Sequence, residues 1–181
     1  MREDGRSGCP INATIEVIGD RWTLLVLRDV MFGNRRYFRE LLAGSEEGIA
    51  SNILSDRLKR LVAAGLLSRD DAGPGRKAEY RLTEAAIELV PIMAHLGSWG
   101  LRHRETTHRL RVRAQLLEEG GPQLWEEFMD ELRESHLGTP RPDPSVPRAS
   151  ERLAAAYAAA AVGGNQDREP PWSDRTALRT R

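Results

Sequence analysis

A mainly α-helical fold with one small two-stranded antiparallel wing, continued by a C-terminal helical extension, is what this chain predicts. Three observations carry that reading. Apolar residues recur at helical spacing in residues 22–32 and again at Leu54, Leu58 and Leu61. A short Gly-containing turn, Ser45-Glu46-Glu47-Gly48, separates two helical patterns. A strand pattern at residues 66–69 and an alternating run at residues 78–82 flank the turn Asp70-Asp71-Ala72-Gly73-Pro74-Gly75. Helix, turn, helix and basic hairpin in that order, across residues 21–83, make a winged helix-turn-helix.

The elements follow in chain order. A first helix starts at Cys9-Pro10 and holds Ile11, Ile15, Val17 and Ile18. Residues 22–32 are apolar on nearly all sides and belong in the core, where Trp22 packs rather than stacking on a ligand. Residues 37–42 form a short amphipathic helix that ends at Gly44, and residues 50–64 form the helix after the turn. Gly65 suits that helix's C-terminus. The wing spans residues 69–78 with Arg76 and Lys77 at its tip. Thr83 is placed to cap a long helix, 84–104, which Pro91 bends. Residues 107–119 continue as helix until Gly120-Gly121-Pro122, and residues 123–135 put Trp125, Phe128, Met129 and Leu132 on one stripe that needs cover. Pro140, Pro142, Pro144 and Pro147 mark a linker, and an Ala-rich helix follows, capped by Ser150.

The expected organisation is a DNA-binding and dimerisation domain at 1–104, a helical extension at 105–137, a linker at 138–149, the Ala-rich helix at 150–163 and a disordered tail at 164–181.

The helix at 50–64 is the candidate reading element. Its apolar stripe leaves Asn52, Ser55, Asp56, Lys59 and Arg60 on the opposite face. Groove edges are read by directed donors and acceptors, and phosphates are held by cations, hydroxyls and helix N-termini. Ser51, Asn52, Ser55, Asp56, Arg57, Lys59, Arg60, Arg76 and Lys77 are the candidate contacts to double-stranded DNA. Ser51 either touches DNA or caps the helix. Arg57 borders the buried stripe and either contacts DNA or fixes the helix through a salt bridge. The wing tip is either a phosphate or minor-groove contact or a solvated basic turn.

The formal net charge is +0 over 181 residues, so any attraction for nucleic acid must be local. Bases outnumber acids between Ala50 and Leu82, whereas Glu126, Glu127, Asp130, Glu131 and Glu134 cluster beyond Gly120. So modest an excess calls for a dimer to sum the phosphate contacts. Asp56 on the reading face keeps a second function class open, a winged helix that binds only protein.

An enzyme is not expected. His95, His103, His108 and His136 lack ligand spacing, no glycine loop cradles phosphate, and Cys9 has no neighbouring base. No cofactor or metal is implied. The chain shows neither a long apolar run nor a signal-peptide core, so no membrane association and a cytoplasmic location are expected. A single cysteine excludes an internal disulfide and fits a reducing compartment.

Cys9-Pro10-Ile11, Gly19-Asp20-Arg21-Trp22-Thr23-Leu24-Leu25, Ile53-Leu54-Ser55-Asp56-Arg57-Leu58, Gly65-Leu66 and Glu79-Tyr80-Arg81-Leu82-Thr83-Glu84 together resemble the HxlR-type transcriptional regulators, dimeric winged-helix proteins related to the MarR group. The likeness covers roughly the first hundred residues. Tyr37-Phe38 and Ala50-Ser51 depart from it, where many members have one aromatic with a small polar residue and a Ser-Pro pair.

The resemblance implies a homodimer paired through the first helix and helix 84–104, with two reading heads about 34 Å apart on a pseudo-palindromic operator. It implies a repressor rather than an activator. It also implies that Cys9 is either a sensor of oxidants or electrophiles or a small buried residue near the dimer surface; a helix N-terminus favours the reactive thiolate. The small-molecule effector is not legible.

Overall fold

The structure, a computed structural model, describes residues 8–70, 73 and 77–162. In chain order it has α1 (Pro10–Ile18), α2 (Arg21–Gly33), α3 (Phe38–Ala43), α4 (Ser51–Ala63), β1 (Leu67–Asp70), β2 (Glu79–Leu82), α5 (Glu84–Ile87), α6 (Val90–His103), α7 (His108–Leu132) and α8 (Ala149–Val162), with a π-helical turn at Arg133–Leu137. It is a mainly helical winged helix-turn-helix with a C-terminal helical extension.

The core is built where the helical stripes meet. Leu27 and Val30 of α2, Leu54 of α4, Leu82 of β2, and Ile87 and Val90 flanking the next helix junction are all fully enclosed. Asp20 starts α2 by accepting hydrogen bonds from the Trp22 and Thr23 N–H groups at 3.0 and 3.2 Å. Only one side of α2 is buried, through Thr23, Val26, Leu27, Asp29, Val30 and Met31. Leu24, Leu25 and Phe32 are half-buried, which corrects the expectation of a helix sunk on all sides.

Local chemistry sets the junctions. Glu40 reaches back to the Arg36 and Tyr37 N–H groups at 3.1 and 3.3 Å and so holds the start of α3. α4 ends in a Schellman arrangement, with Gly65 at φ +71°, Gly65 N–H on Val62 O at 3.0 Å and Leu66 N–H on Leu61 O at 2.9 Å. In the hairpin Leu67 faces Leu82 and Asp70 faces Glu79. The outer edge of β2 is also covered: Tyr80 N–H donates to Arg36 O at 2.8 Å beside a Tyr37–Glu79 bridge, and Leu82 N–H donates to His136 Nδ1 at 3.1 Å.

The expected long helix 84–104 is two helices. Pro91 has no N–H to give Ile87, so the chain breaks at Glu88 and Leu89 and Pro91 enters the first turn of α6. In α7 the break falls at Gly121, φ +56° and ψ −155°. The α-helix then stops at Leu132, short of the expected Ser135, and widens into the π-helical turn. Leu124, Phe128, Met129 and Leu132 are buried. Phe128 stacks on Phe32 of α2 with ring centroids 5.1 Å apart, so the apolar stripe finds its cover on the same chain. Trp125 is half-buried and donates its Nε1–H to Leu117 O at 2.7 Å, across the break.

The cap of α8 is Glu131 rather than Ser150. Its buried carboxylate accepts from Ala149 N–H and, at 3.1 Å, from Ser150 N–H, so the helix begins one residue earlier than expected. The expected tail at 164–181 and the hairpin residue Arg76 lie outside the described residues. Among the described residues no helix is long and apolar enough to cross a membrane.

Candidate nucleic-acid interface

α4 turns Leu54, Leu58 and Leu61 inward. Ser51, Asn52, Asp56, Lys59 and Arg60 are exposed and Ser55 is half-buried. The cap position of α4 is Ala50, which has no side-chain acceptor, so neither Ser51 nor Asn52 caps the helix. The helix start therefore has no side-chain cap and carries two exposed polar side chains, an arrangement that suits an anion.

Arg57 does not share this face. It is half-buried, and its Nε lies 3.1 Å from Asp20 Oδ1, off the N–H axis, so the contact is an ion pair rather than a directed hydrogen bond. Burial pushes the Asp20 carboxyl up. Hydrogen bonds from the Thr23 hydroxyl and the Thr23 and Trp22 N–H groups, together with the Arg57 cation, outweigh it and hold the group below the usual aspartate value. One carboxylate therefore caps α2 and tethers α4. Asp56 pairs with Arg60 at 3.0 Å and with Arg57 at 3.4 Å, which offsets its charge on the reading face.

The turn before α4 is fixed from below. Arg28 grips Glu47 with two bonds of 2.6 and 2.8 Å and also pairs with Asp29, which in turn holds Arg35 at 3.0 Å. Ser45 Oγ accepts from Ile49 N–H at 3.1 Å, and Gly48 adopts φ +67°. The acidic turn is thus a structural anchor.

In the wing Lys77 is exposed. The base of the wing is clamped by the extension: Arg36 donates to Ser135 O at 2.9 Å and to Glu79 at 3.3 Å, and His136, only 3% exposed, accepts from Leu82 N–H. Burial, then the Arg36 and Arg81 cations, push His136 down to about 4 against the pull of Glu79. The imidazole is neutral at neutral pH, with Nδ1 as acceptor.

Cys9 is exposed in the single chain, at the N-cap of α1. Ile11, Ile15 and Val17 of α1 and Ile92, Leu96 and Trp99 of α6 are exposed apolar side chains at helical spacing.

Sequence reasoning overlooked three positions. Asp20 carried a legible signal, a capping residue just ahead of an apolar run. His136 and Glu131 carried none, because their partners lie 54 and 18 residues away.

A helix-turn-helix that presents a polar outward helix beside a two-stranded wing defines the winged class of DNA-reading folds. The HxlR-like helix-turn-helix family model matches residues 17–108, and the chain belongs to that family. An as yet uncharacterised HTH-type transcriptional regulator of Mycobacterium tuberculosis (strain ATCC 25618 / H37Rv) is 38% identical over 94 residues, 51% of this chain and 58% of that protein. This chain thus spans little more than half the length of that relative. YdeP of Bacillus subtilis (strain 168), described in the same words, is 30% identical over 114 residues, 60% of this chain and 84% of its own. The crystal structure of PA1607, a candidate transcription factor, aligns at TM-score 0.51 and 34% identity over 56% of this chain and 69% of that one. The family match ends at residue 108, where α7 begins.

Proposed function

We propose that the chain is a sequence-specific, DNA-binding transcriptional regulator, a homodimeric repressor that sets α4 in the major groove and its wing on the flanking backbone. The observation that carries this reading is the division of α4: a fully buried Leu54–Leu58–Leu61 stripe behind an exposed Ser51, Asn52, Lys59 and Arg60 face whose helix start has no side-chain cap. Asn52 and Ser55 read base edges, Ser51, Lys59, Arg60 and Lys77 hold phosphates, and Arg57 acts as a positioning residue through Asp20.

The dimer forms through the exposed apolar side chains of α1 and α6, Ile11 and Ile15 on the first and Ile92, Leu96 and Trp99 on the second. Trp99→Asp should convert the dimer to a monomer in sedimentation velocity and weaken operator binding with it. Modification of Cys9, next to the α1 face, acts on DNA affinity through that contact. A Cys9→Ser protein that responds to diamide as wild type does would exclude this role.

The test is fluorescence anisotropy on DNA flanking the chain's own gene and on random duplex, across a salt series, followed by selection from a random library. Binding should fall steeply with salt, and Lys59→Ala should lower the logarithmic salt slope by about 1 on every sequence. Asn52→Ala should instead relax preference at one base position. Salt-insensitive binding, or a library that yields no preferred sequence, would refute the reading.

A further inference from the structure

A cavity of about 470 Å³ lies between α2 and α6 on one side and α7 and α8 of the extension on the other. Its walls are mostly apolar, with Leu25 and Phe32 from α2, Met93 from α6, and Leu110 and Leu117 from α7. The volume is in the range of small-molecule sites, which combine an apolar body with a few placed polar groups.

The charges at its mouth are nearly all spoken for. Of the cations that line it, Arg28 is bound to Glu47 and Arg35 to Asp29. Arg113 is the exception among the cavity's cations. Its guanidinium lies 4.1 Å from the centre of the Tyr157 ring, which is itself held by a 3.4 Å bond from its hydroxyl to Glu46. Among the described residues no carboxylate pairs with Arg113, and its buried Nε finds no acceptor. Burial lowers its pKa from the ordinary arginine value; Tyr157 and Glu46 oppose the shift and the Arg35 cation adds to it. A cation held in place by stacking, short of hydrogen-bond acceptors and facing an apolar chamber is complementary to a planar anion with an apolar body.

We propose that this cavity binds a small amphipathic monocarboxylate, with the carboxylate on Arg113 and the hydrocarbon or aromatic body against Phe32, Met93 and Leu117. Arg113, Leu117 and Tyr157 lie beyond the family match at 17–108, so the extension supplies the cation and closes a site whose other wall is within the matched region. The proposal is independent of whether the protein binds DNA.

Isothermal titration of the full chain with 2-naphthylacetate and with the uncharged 2-naphthylacetamide tests it. Wild type should bind the acid roughly 10- to 100-fold more tightly than the amide, as a charge-assisted hydrogen bond implies. Arg113→Met, which keeps the aliphatic stem on Tyr157, should erase that preference and leave amide binding unchanged. Leu110→Trp, at a half-exposed position at the mouth, should abolish binding of both probes while thermal unfolding stays that of wild type. The proposal is overturned if wild type binds neither probe at millimolar concentration, if Arg113→Met keeps the preference, or if Leu110→Trp still binds. Sedimentation velocity on Leu110→Trp separates a second copy of the chain as occupant: loss of self-association with acid binding intact would overturn the proposal as well.

Discussion

His136 offers the sharpest quantitative prediction, because it ties the extension to the wing through one titratable group. Its Nδ1 accepts from Leu82 N–H, and protonation would destroy that acceptor inside a shell that already contains Arg36 and Arg81. Since the folded value, about 4, lies below the ordinary 6.5, the native state binds fewer protons than the unfolded chain between those limits. The stabilisation is therefore present above the unfolded value and is lost as pH falls from 6.5 toward 4. Taking the two values at face, the loss between pH 7 and pH 4.5 is about 2.4 kcal/mol, a factor of roughly 60 in the folding equilibrium.

The assay is urea unfolding at fixed protein concentration across this range, for wild type and for His136→Asn, which keeps a neutral acceptor near Leu82. Carboxylates such as Asp20 titrate in both proteins, so the difference between the curves isolates the imidazole. The wild-type curve should fall faster by about 2 kcal/mol over that interval. Parallel curves would refute the reasoning and show that His136 meets solvent or shifts its backbone partner on protonation.

Three further outcomes are expected. Arg57→Met should lower stability by about 1 kcal/mol in urea unfolding, the upper range for a partly exposed pair, and leave the salt slope of DNA binding unchanged; a slope lowered by about 1 would make Arg57 a phosphate contact instead. Gly65→Ala should cost about 1 to 2 kcal/mol, because φ +71° puts a Cβ in the left-handed region, and a neutral result in the denaturation midpoint would contradict the Schellman end of α4. Phe128→Ala, which removes the ring stacked on Phe32, should cost about 3 to 5 kcal/mol and lower the thermal midpoint by several degrees; a change below about 1 kcal/mol would mean that the extension does not brace the reading head.

Much of the reading head was legible because its signals are local. The Leu54–Leu58–Leu61 spacing defines a buried stripe wherever the helix packs, Gly65 answers a steric demand of the helix end, and the turn residues at 70–75 ahead of the alternating run at 78–82 mark a hairpin. The outward face of α4 follows from the same periodicity, so the candidate contacts at Asn52, Lys59 and Arg60 needed no tertiary information.

What the sequence by itself determined is therefore the class of fold, the placement of α4 and the wing, and the polar character of the reading face. Only the tertiary structure decided which of those side chains are free to act. It took Arg57 off the surface by setting it against Asp20, left Ser51 and Asn52 outside the cap, gave Glu131 the start of α8 and put His136 on the wing. It also brought Arg113 and Tyr157 to one cavity with Phe32. These pairings join residues far apart in the chain, and the energy that selects them comes from burial and charge in the assembled core, where short-range periodicity carries no information.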